Sequence, residues 1–247
     1  MTIIKKEELE YIRTKQNTPP MKNNLSLTPS LSGVPHLDCR LTEEAINYLW
    51  NSINEFPKID TKLPIGQSRF SPEITKIQDK DNWFYENVLK ECAETLHYRD
   101  WQNHYNTHIA KIVPPPKFLL SMLWVNRQKQ HEFTAPHIHN RGIGFSFVVF
   151  MKIPTHWKEQ HSPKEMIEVL DRFGESDITH PQASDFLFLL SQGQFVKTVP
   201  IPLSPDDEGR MLFFPAWINH QVLPYYGTEE ERITVSGNVE MERIKND

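Results

Sequence analysis

Two histidines in the segment PHIHN, His137 and His139, have the residue type and the spacing of a metal site. In an extended segment successive side chains point to opposite sides, so the two imidazoles lie on one side and Ile138 on the other. Neutral imidazole is a good ligand for iron, zinc, copper and nickel. The pair therefore predicts two ligands of one metal ion. The alternative is that both are surface histidines of a chain that contains 11 histidines.

A third histidine, His220, lies in the segment FFPAWINHQVLP, ahead of a short β-type run. A histidine in such a place is either a metal ligand supplied from a distant part of the chain or a packed, hydrogen-bonded core residue. The segment around His220 does not distinguish these two interpretations, so the role inferred for His220 depends on the other candidate site residues.

The run RITVSGNV begins with a basic residue, Arg232. Strand alternation places Arg232, Thr234 and Ser236 on one face and the apolar residues between them on the other. A guanidinium group flanked by two hydroxyls matches a carboxylate in charge and in hydrogen-bond geometry. This face therefore predicts a carboxylate site. The alternative is a polar strand edge that faces solvent.

Short β-type runs, which would position these residues, dominate the chain after Pro114, Pro115 and Pro116. Turn-forming residues separate the runs, which is typical of an antiparallel sandwich or barrel. One helix, capped by Ser162 and ended by Gly174, is expected to interrupt the series. The runs are KFLLSMLWVN (117–126), FSFVVFMKI (145–153), DFLFLL (185–190), QFVKTVPI (194–201), RMLFFP (210–215) and RITVSGNV (232–239).

The first half of the chain differs from the second in composition and in its predicted secondary structure. It opens with a stretch rich in Pro, Asn, Ser and Thr that has few residues able to fill a core. Thr42 is the predicted N-cap of a helix, and a second helix is expected to begin near Asp81. The predicted organisation is an irregular arm over residues 1–36 and a single domain over 37–247, in which 37–115 is helical support and 116–240 is the β core with a helical insertion at 155–180.

The composition excludes several classes of protein. The formal net charge of -5 argues against a nucleic-acid partner, which needs a basic surface. The longest apolar run, from Gly142 to Met151, is too short to span a bilayer, and charged residues stand where a signal peptide would be apolar. The only cysteines, Cys39 and Cys92, make neither a disulfide framework nor a zinc ribbon. We expect a cytoplasmic protein, or one of the host cytoplasm if it is phage-encoded.

The chain resembles the 2-oxoglutarate- and Fe(II)-dependent oxygenases in the order of its features. These are a His-x-His, a β-run, a long insertion, a distal His and an Arg-x-Thr. The similarity is strongest to the prolyl-hydroxylase-like branch and to related oxygenase-like proteins of bacteria and phages. It covers residues 118–239, and its most specific stretch is GRMLFFPAWINHQVLPYYGTEEERITVSGNV. The resemblance implies a mainly β protein with supporting helices, in which an N-terminal helical region precedes a double-stranded β-helix (jelly-roll) core.

The resemblance makes His137 the first metal ligand and His220 the distal one. His139 stands where the family carries Asp or Glu, which is a departure from its pattern. Three imidazoles would hold Fe(II) without any ligand charge and would make the metal depend on the 2-oxoglutarate dianion. Two alternatives stay open: His139 turns away and a water or an anion replaces it, or the site is degenerate. We expect a site of His137, His139 and His220, with no catalytic residue beyond these ligands.

The same resemblance assigns the cosubstrate site. Arg232 corresponds to the basic residue that pairs with the far carboxylate of 2-oxoglutarate, and Thr234 and Ser236 are its hydroxyl partners. Trp124 and Asn126 lie on the strand before the first metal motif, where the family lines the cosubstrate or substrate pocket.

The implied function is a Fe(II)- and 2-oxoglutarate-dependent oxygenase, specifically a hydroxylase, that uses O2, with ascorbate as a supporting reductant. A small molecule or a peptide is the expected substrate, without a membrane partner, and a homo-oligomer is compatible with the sequence. The insertion is expected to cover the mouth of the site, and other histidines, including His161, are expected to face solvent. Two alternative functions remain: a non-catalytic jelly-roll structural or binding protein, and a three-His metal dioxygenase that does not use 2-oxoglutarate.

Overall fold

Two antiparallel sheets make up most of the fold. The computed structural model describes residues 25–28, 34–55, 71–104, 117–139, 144–161 and 182–242. The strands within these ranges are β1 (Leu25–Thr28), β2 (Leu37–Leu41), β3 (Glu73–Lys76), β4 (Phe118–Gln128), β5 (Thr134–His137), β6 (Gly144–Lys152), β7 (Phe186–Gln192), β8 (Phe195–Ile201), β9 (Arg210–Pro215), β10 (Asn219–Val222) and β11 (Arg232–Met241). The larger sheet has the order β1-β2-β9-β6-β11-β4-β3 and the smaller one the order β5-β10-β7-β8.

The helices lie mainly before the β core, and side-chain oxygens define where they begin. Thr42 Oγ1 accepts a hydrogen bond from the Ala45 amide at 3.4 Å, which confirms the predicted N-cap of α1. The second helical segment is capped by the carboxylate of Asp79, which accepts from the amides of Phe84 at 2.8 Å and Tyr85 at 2.9 Å. The helices are α1 (Glu43–Glu55), α2 (Lys90–His104), preceded by a π-helical turn (Tyr85–Leu89), and α3 (Trp157–His161).

The larger sheet has a hydrophobic layer on each face. One layer joins the sheet to the helices and includes Phe84, Phe147 and Val235. The other joins the two sheets and includes Phe150, Phe188 and Phe214. Strand β6 is central and covered on both faces, which explains why its sequence GFSFVVFMK is almost continuously apolar rather than alternating.

Strand β11 presents its polar stripe to the space between the sheets. Thr234 lies opposite Phe150 and Ser236 opposite Val148, both of which belong to the layer between the sheets. Ile233 and Val235 belong instead to the layer that packs on the helices. Directly opposed residues share a face, so the stripe that begins at Arg232 points into the protein and does not form a solvent-facing edge.

The predicted fold class, a mainly β jelly-roll core with supporting helices, is confirmed. All six predicted β-runs are strands within one or two residues of their expected bounds. The division of the first half was partly wrong. Strand β1 forms inside the predicted irregular arm and pairs with β2, while β2 and β3 join the larger sheet from the region predicted as helical support.

Some expectations fall on undescribed residues. Of the insertion predicted at 155–180, the described part consists of residues 155–161, which include α3, and the helix expected between Ser162 and Gly174 lies outside the described residues. Among the described helices, none is both long and apolar enough to cross a membrane.

Candidate metal and cosubstrate site

Three histidines from two separate segments meet at one end of the smaller sheet. Strands β5 and β10 pair antiparallel with His137 directly opposite His220. His139 follows β5, and its amide donates to the carbonyl of Ala216 at 2.9 Å, which docks its segment on the β9–β10 turn. One nitrogen of each ring lies within 4.8 Å of those of the other two. The structure therefore gathers His137, His139 and His220 into one group of potential metal ligands.

Backbone hydrogen bonds orient two of these rings. Nδ1 of His137 lies 2.8 Å from the carbonyl of Ala135, and Nδ1 of His220 lies 2.9 Å from the carbonyl of Ile218. A carbonyl oxygen only accepts, so Nδ1 carries the proton in each ring and Nε2 keeps its lone pair. Metal-binding histidines are commonly held in this way by an acceptor on the second ring nitrogen.

The surroundings keep the buried imidazoles neutral. Burial lowers the pKa of His220 to about 3, and repulsion from His137 adds to this effect. Burial likewise lowers the pKa of His139 to about 4, again with a contribution from His137. The ring of His220 packs on Phe214 and Phe186, with centroid separations of 4.9 and 5.7 Å. The cluster therefore offers three imidazole rings as nitrogen donors, two of them held neutral, beside an apolar wall, and this donor set fits a divalent transition metal.

The predicted lining residues adjoin the cluster. The ring of Trp124 lies 5.8 Å from the ring of His139, measured between centroids. Asn126 Nδ2 donates to Thr234 Oγ1 at 3.1 Å and to Ser236 Oγ at 3.2 Å. These bonds join β4 to the polar stripe of β11 and fix the direction of both hydroxyls.

Arg232 is fully buried, with 1% of its surface exposed. Nη2 donates to the carbonyl of Ser184 at 2.8 Å and to its hydroxyl, and Nη1 donates to Gln128 Oε1 at 3.3 Å. The guanidinium group also lies 5.0 Å from the ring centroid of Tyr225. Its Nε has no hydrogen-bond partner among the described residues. Burial lowers the pKa of Arg232 to about 10, so the group stays charged at neutral pH.

Strand β11 links the surroundings of the histidine cluster to Arg232. Ser236 pairs with Trp124, which contacts His139. Arg232 precedes Ser236 by four residues on the same strand face, which corresponds to roughly 13 Å of strand. The two features therefore belong to one interior region and are joined by the stripe of Thr234 and Ser236.

A buried acid beside Arg232 was not predicted from the sequence. The side chain of Asp185 has no exposed surface, and its Oδ1 lies 2.8 Å from His161 Nε2. Burial raises the pKa of Asp185 to about 6, while His161 and Arg232 lower it. The expectation that His161 faces solvent was therefore wrong, because this acid holds its ring. Asp185 precedes the apolar run FLFLL, where an acid looks like an ordinary turn residue.

Comparison with known proteins gives a match to one family model, over slightly less than half of the chain, and a fold. A sequence model of the family described as "Putative 2OG-Fe(II) oxygenase" matches residues 122–238, which include every predicted site residue. A search of curated protein sequences found no match.

Several solved structures are similar to this chain. One is the non-heme alpha-ketoglutarate-dependent carbocyclase SnoK from nogalamycin biosynthesis, with 7% identity, coverage of 83% of this chain and 79% of that chain, and a TM-score of 0.53. A prolyl-4-hydroxylase from Pseudomonas putida is 13% identical, with coverage of 86% and 96% and a TM-score of 0.47. An oxidoreductase of the 2OG-Fe(II) oxygenase family from Burkholderia pseudomallei is 10% identical, with coverage of 97% and 93% and a TM-score of 0.43. The likeness to SnoK supports the jelly-roll fold.

Proposed function

We propose that this protein is a 2-oxoglutarate- and Fe(II)-dependent oxygenase, with His137, His139 and His220 as its metal ligands. The proposal is supported by the match of residues 122–238 to a sequence model of a 2OG-Fe(II) oxygenase family. The observation that carries the proposal is the convergence of three imidazoles, with ligand atoms within 4.8 Å of one another, inside the matched region. The reaction that we propose is hydroxylation of a small molecule or a peptide.

The three histidines suit Fe(II) in this role. Two of them have their Nδ1 protons directed at carbonyl oxygens, so Nε2 is the atom left for the metal. None of the three brings a negative charge, in contrast to the usual arrangement of two histidines and one carboxylate. The full charge of the cation is then available to attract an anionic cosubstrate.

Arg232 is the proposed anchor for the distal carboxylate of 2-oxoglutarate. It is a buried, charged guanidinium group, and its Nε is a donor without a partner among the described residues. A carboxylate is the ligand that best satisfies such a group. Thr234 and Ser236 continue the polar face towards the histidines, with their hydroxyls oriented by Asn126. Trp124, beside His139, is the proposed wall of the same pocket.

The chemistry that Fe(II) supplies when bound is the use of O2 to convert 2-oxoglutarate to succinate and CO2, with the second oxygen atom inserted into a C–H bond of the substrate. The residues of the chain bind and orient the reactants. The apolar wall of Phe186 and Phe214 excludes water beside His220. No general acid or base beyond the metal ligands is assigned to this reaction.

One alternative rests on a specific observation. His139 replaces the carboxylate of the usual metal triad, and three-His centres also serve dioxygenases that do not use 2-oxoglutarate. The unsatisfied Nε of the buried Arg232 favours the 2-oxoglutarate reaction, because it offers an interior donor to the distal carboxylate that only this reaction brings.

The test is release of succinate from 2-oxoglutarate in the presence of Fe(II), O2 and ascorbate. The purified full chain should release succinate, and His220→Ala should reduce the rate by at least 100-fold, since one of three metal ligands is lost. His156→Ala, which removes a histidine outside the cluster, is the matched control and should keep the wild-type rate. Equal rates in wild type and His220→Ala would contradict the proposal. Metal analysis of the same samples should show loss of bound iron only in His220→Ala.

A further inference from the structure

Asp185 is a buried acid that the proposed reaction does not use. Its side chain has no exposed surface, and one of its oxygens, Oδ2, lacks a hydrogen-bond partner among the described residues. Ionisable groups are seldom buried in this way unless they are paired. Its hydrogen-bond partner is His161, and the other charge that acts on it is that of Arg232.

The backbone holds Asp185 next to the proposed anchor. Ser184, its neighbour in the chain, accepts two hydrogen bonds from Nη2 of Arg232. The amide of Ser184 donates to the carbonyl of Pro224 at 2.8 Å, and the carbonyl of Asp185 accepts from the amide of Leu223 at 3.0 Å. These bonds tie the start of β7 to the end of β10, so Asp185 cannot move away from Arg232 without breaking them.

We propose that Asp185 is the internal counter-charge of Arg232 and competes with the distal carboxylate of a dicarboxylate cosubstrate for that guanidinium group. The inference rests on the proposed function, since it takes Arg232 as the anchor. Among the described residues, each group keeps one unpaired polar atom of opposite character, the donor Nε in Arg232 and the acceptor Oδ2 in Asp185. An incoming carboxylate satisfies Nε, and it meets repulsion from the ionised Asp185.

The proposal also fits the charge of the metal site. With three neutral ligands the metal keeps its full charge, and an anion would be drawn to it and to Arg232 together. Asp185 supplies one negative charge in the same interior region. The second buried acid of the described residues, Asp38, is instead paired with Arg210 at 2.7 Å. Asp185 therefore lowers the affinity for the dianion.

The test is calorimetric binding of 2-oxoglutarate to the full chain loaded with Ni(II), which occupies the site without turnover. Asp185→Asn removes the charge and keeps an oxygen that accepts from His161. It should lower the Kd for 2-oxoglutarate by about tenfold, which corresponds to ~1.4 kcal/mol. Asp185→Ala, a second variant without charge, should tighten binding in the same direction. Asp38→Asn, which removes a buried acid on β2, is the matched control and should leave the Kd unchanged.

Binding of a second ligand shows whether the effect of Asp185 acts on the distal carboxylate of 2-oxoglutarate. 2-Oxobutanoate has the 2-oxo acid group but no distal carboxylate, so its Kd should be the same in wild type and Asp185→Asn. Unchanged or weaker binding of 2-oxoglutarate by both uncharged variants would overturn the inference, and so would equal tightening of both ligands. If wild type binds 2-oxobutanoate as tightly as 2-oxoglutarate, Arg232 is not the anchor and the proposed function itself fails at that point. A gain of affinity cannot come from a misfolded variant.

Discussion

Replacement of Arg232 by methionine should destabilise the protein chiefly because it removes the positive charge near the buried Asp185, which then keeps its hydrogen bond to His161 but loses the attraction of Arg232. Methionine fills a similar volume but makes none of the guanidinium hydrogen bonds to Ser184 and Gln128. The oxygen atoms of Ser184 and Gln128 lose their donor, and Asp185 loses the attraction of the Arg232 charge. We therefore expect the cost to depend on the charge of Asp185.

The magnitude follows from the burial of both groups. Removal of one partner of a buried charge pair costs about 3–5 kcal/mol. Since Asp185 can take up a proton in response, the lower end is expected, about 3 kcal/mol at pH 8. For a chain of this size that is a decrease in melting temperature of roughly 6–12 °C. Adding Asp185→Asn should recover ~1–2 kcal/mol, because no isolated charge then remains.

The assay is a double-mutant cycle of urea unfolding on the full chain at pH 8 and pH 5. At pH 8 the acid is ionised, since its pKa is about 6, and Arg232 is charged, since its pKa is about 10. The coupling energy should then be at least 1 kcal/mol, and at pH 5 it should fall towards zero as the acid takes up its proton. Strict additivity of the two substitutions at pH 8 would refute the assignment of Asp185 as the partner of Arg232.

Three further predictions concern the acid, a strand glycine and the metal site. The pKa of Asp185 is above its ordinary value of 3.8, so the folded state binds this proton more tightly. This contribution to stability is present below about pH 4 and is lost as pH rises to about 6. Asp185→Asn should therefore gain ~3 kcal/mol relative to wild type over that range in urea titrations. In Gly237→Ala the new Cβ would lie 2.6 Å from the Met122 carbonyl oxygen and 2.6 Å from Phe147 Cζ. This variant should therefore lose ~2–3 kcal/mol of unfolding free energy, measured by thermal melts. The control Gly193→Ala, with open space around the new Cβ, should lose about 1 kcal/mol in the same assay. His139→Asp should bind Ni(II) more tightly and 2-oxoglutarate more weakly in equilibrium dialysis, and unchanged affinities would mean that residue 139 does not contact the metal.

Much of the site was predictable because strand alternation is a local rule. Arg232, Thr234 and Ser236 share a face whatever the rest of the chain does, and so do the two histidines of PHIHN. The sequence also predicted the strands that carry them, since their β-type runs are long and rich in branched and aromatic residues. Of the two residues that the resemblance placed in the pocket lining, Trp124 is adjacent to the cluster and Asn126 to the stripe.

The missed elements depend on pairing with distant parts of the chain. Strand β3, EITK, has four residues, of which Glu73 and Lys76 are exposed, and its identity as a strand comes from hydrogen bonds to β4. Strand β2, LDCRL, likewise pairs with β9, far away in sequence. Such short segments bury too little apolar surface to be recognised by their own pattern. The second helical region does begin near Asp81, as predicted. Its capping carboxylate, that of Asp79, was not predicted, and Asp81 itself adopts a positive φ of 54°.

The relation between Asp185 and Arg232 could not be predicted for a related reason, and it bears on function. Each residue alone has an ordinary interpretation, a turn acid before an apolar strand and a basic residue at the start of another. Only the sheet topology brings the ends of β7 and β11 together, through Ser184 and its bonds to Arg232. The histidine cluster sets the kind of metal, since that depends on donor atoms, whereas the affinity for an anionic cosubstrate depends on the charges that surround the site. In the proposed centre, whose three ligands are all neutral, a single buried acid next to the proposed anchor should therefore have a large influence on that affinity.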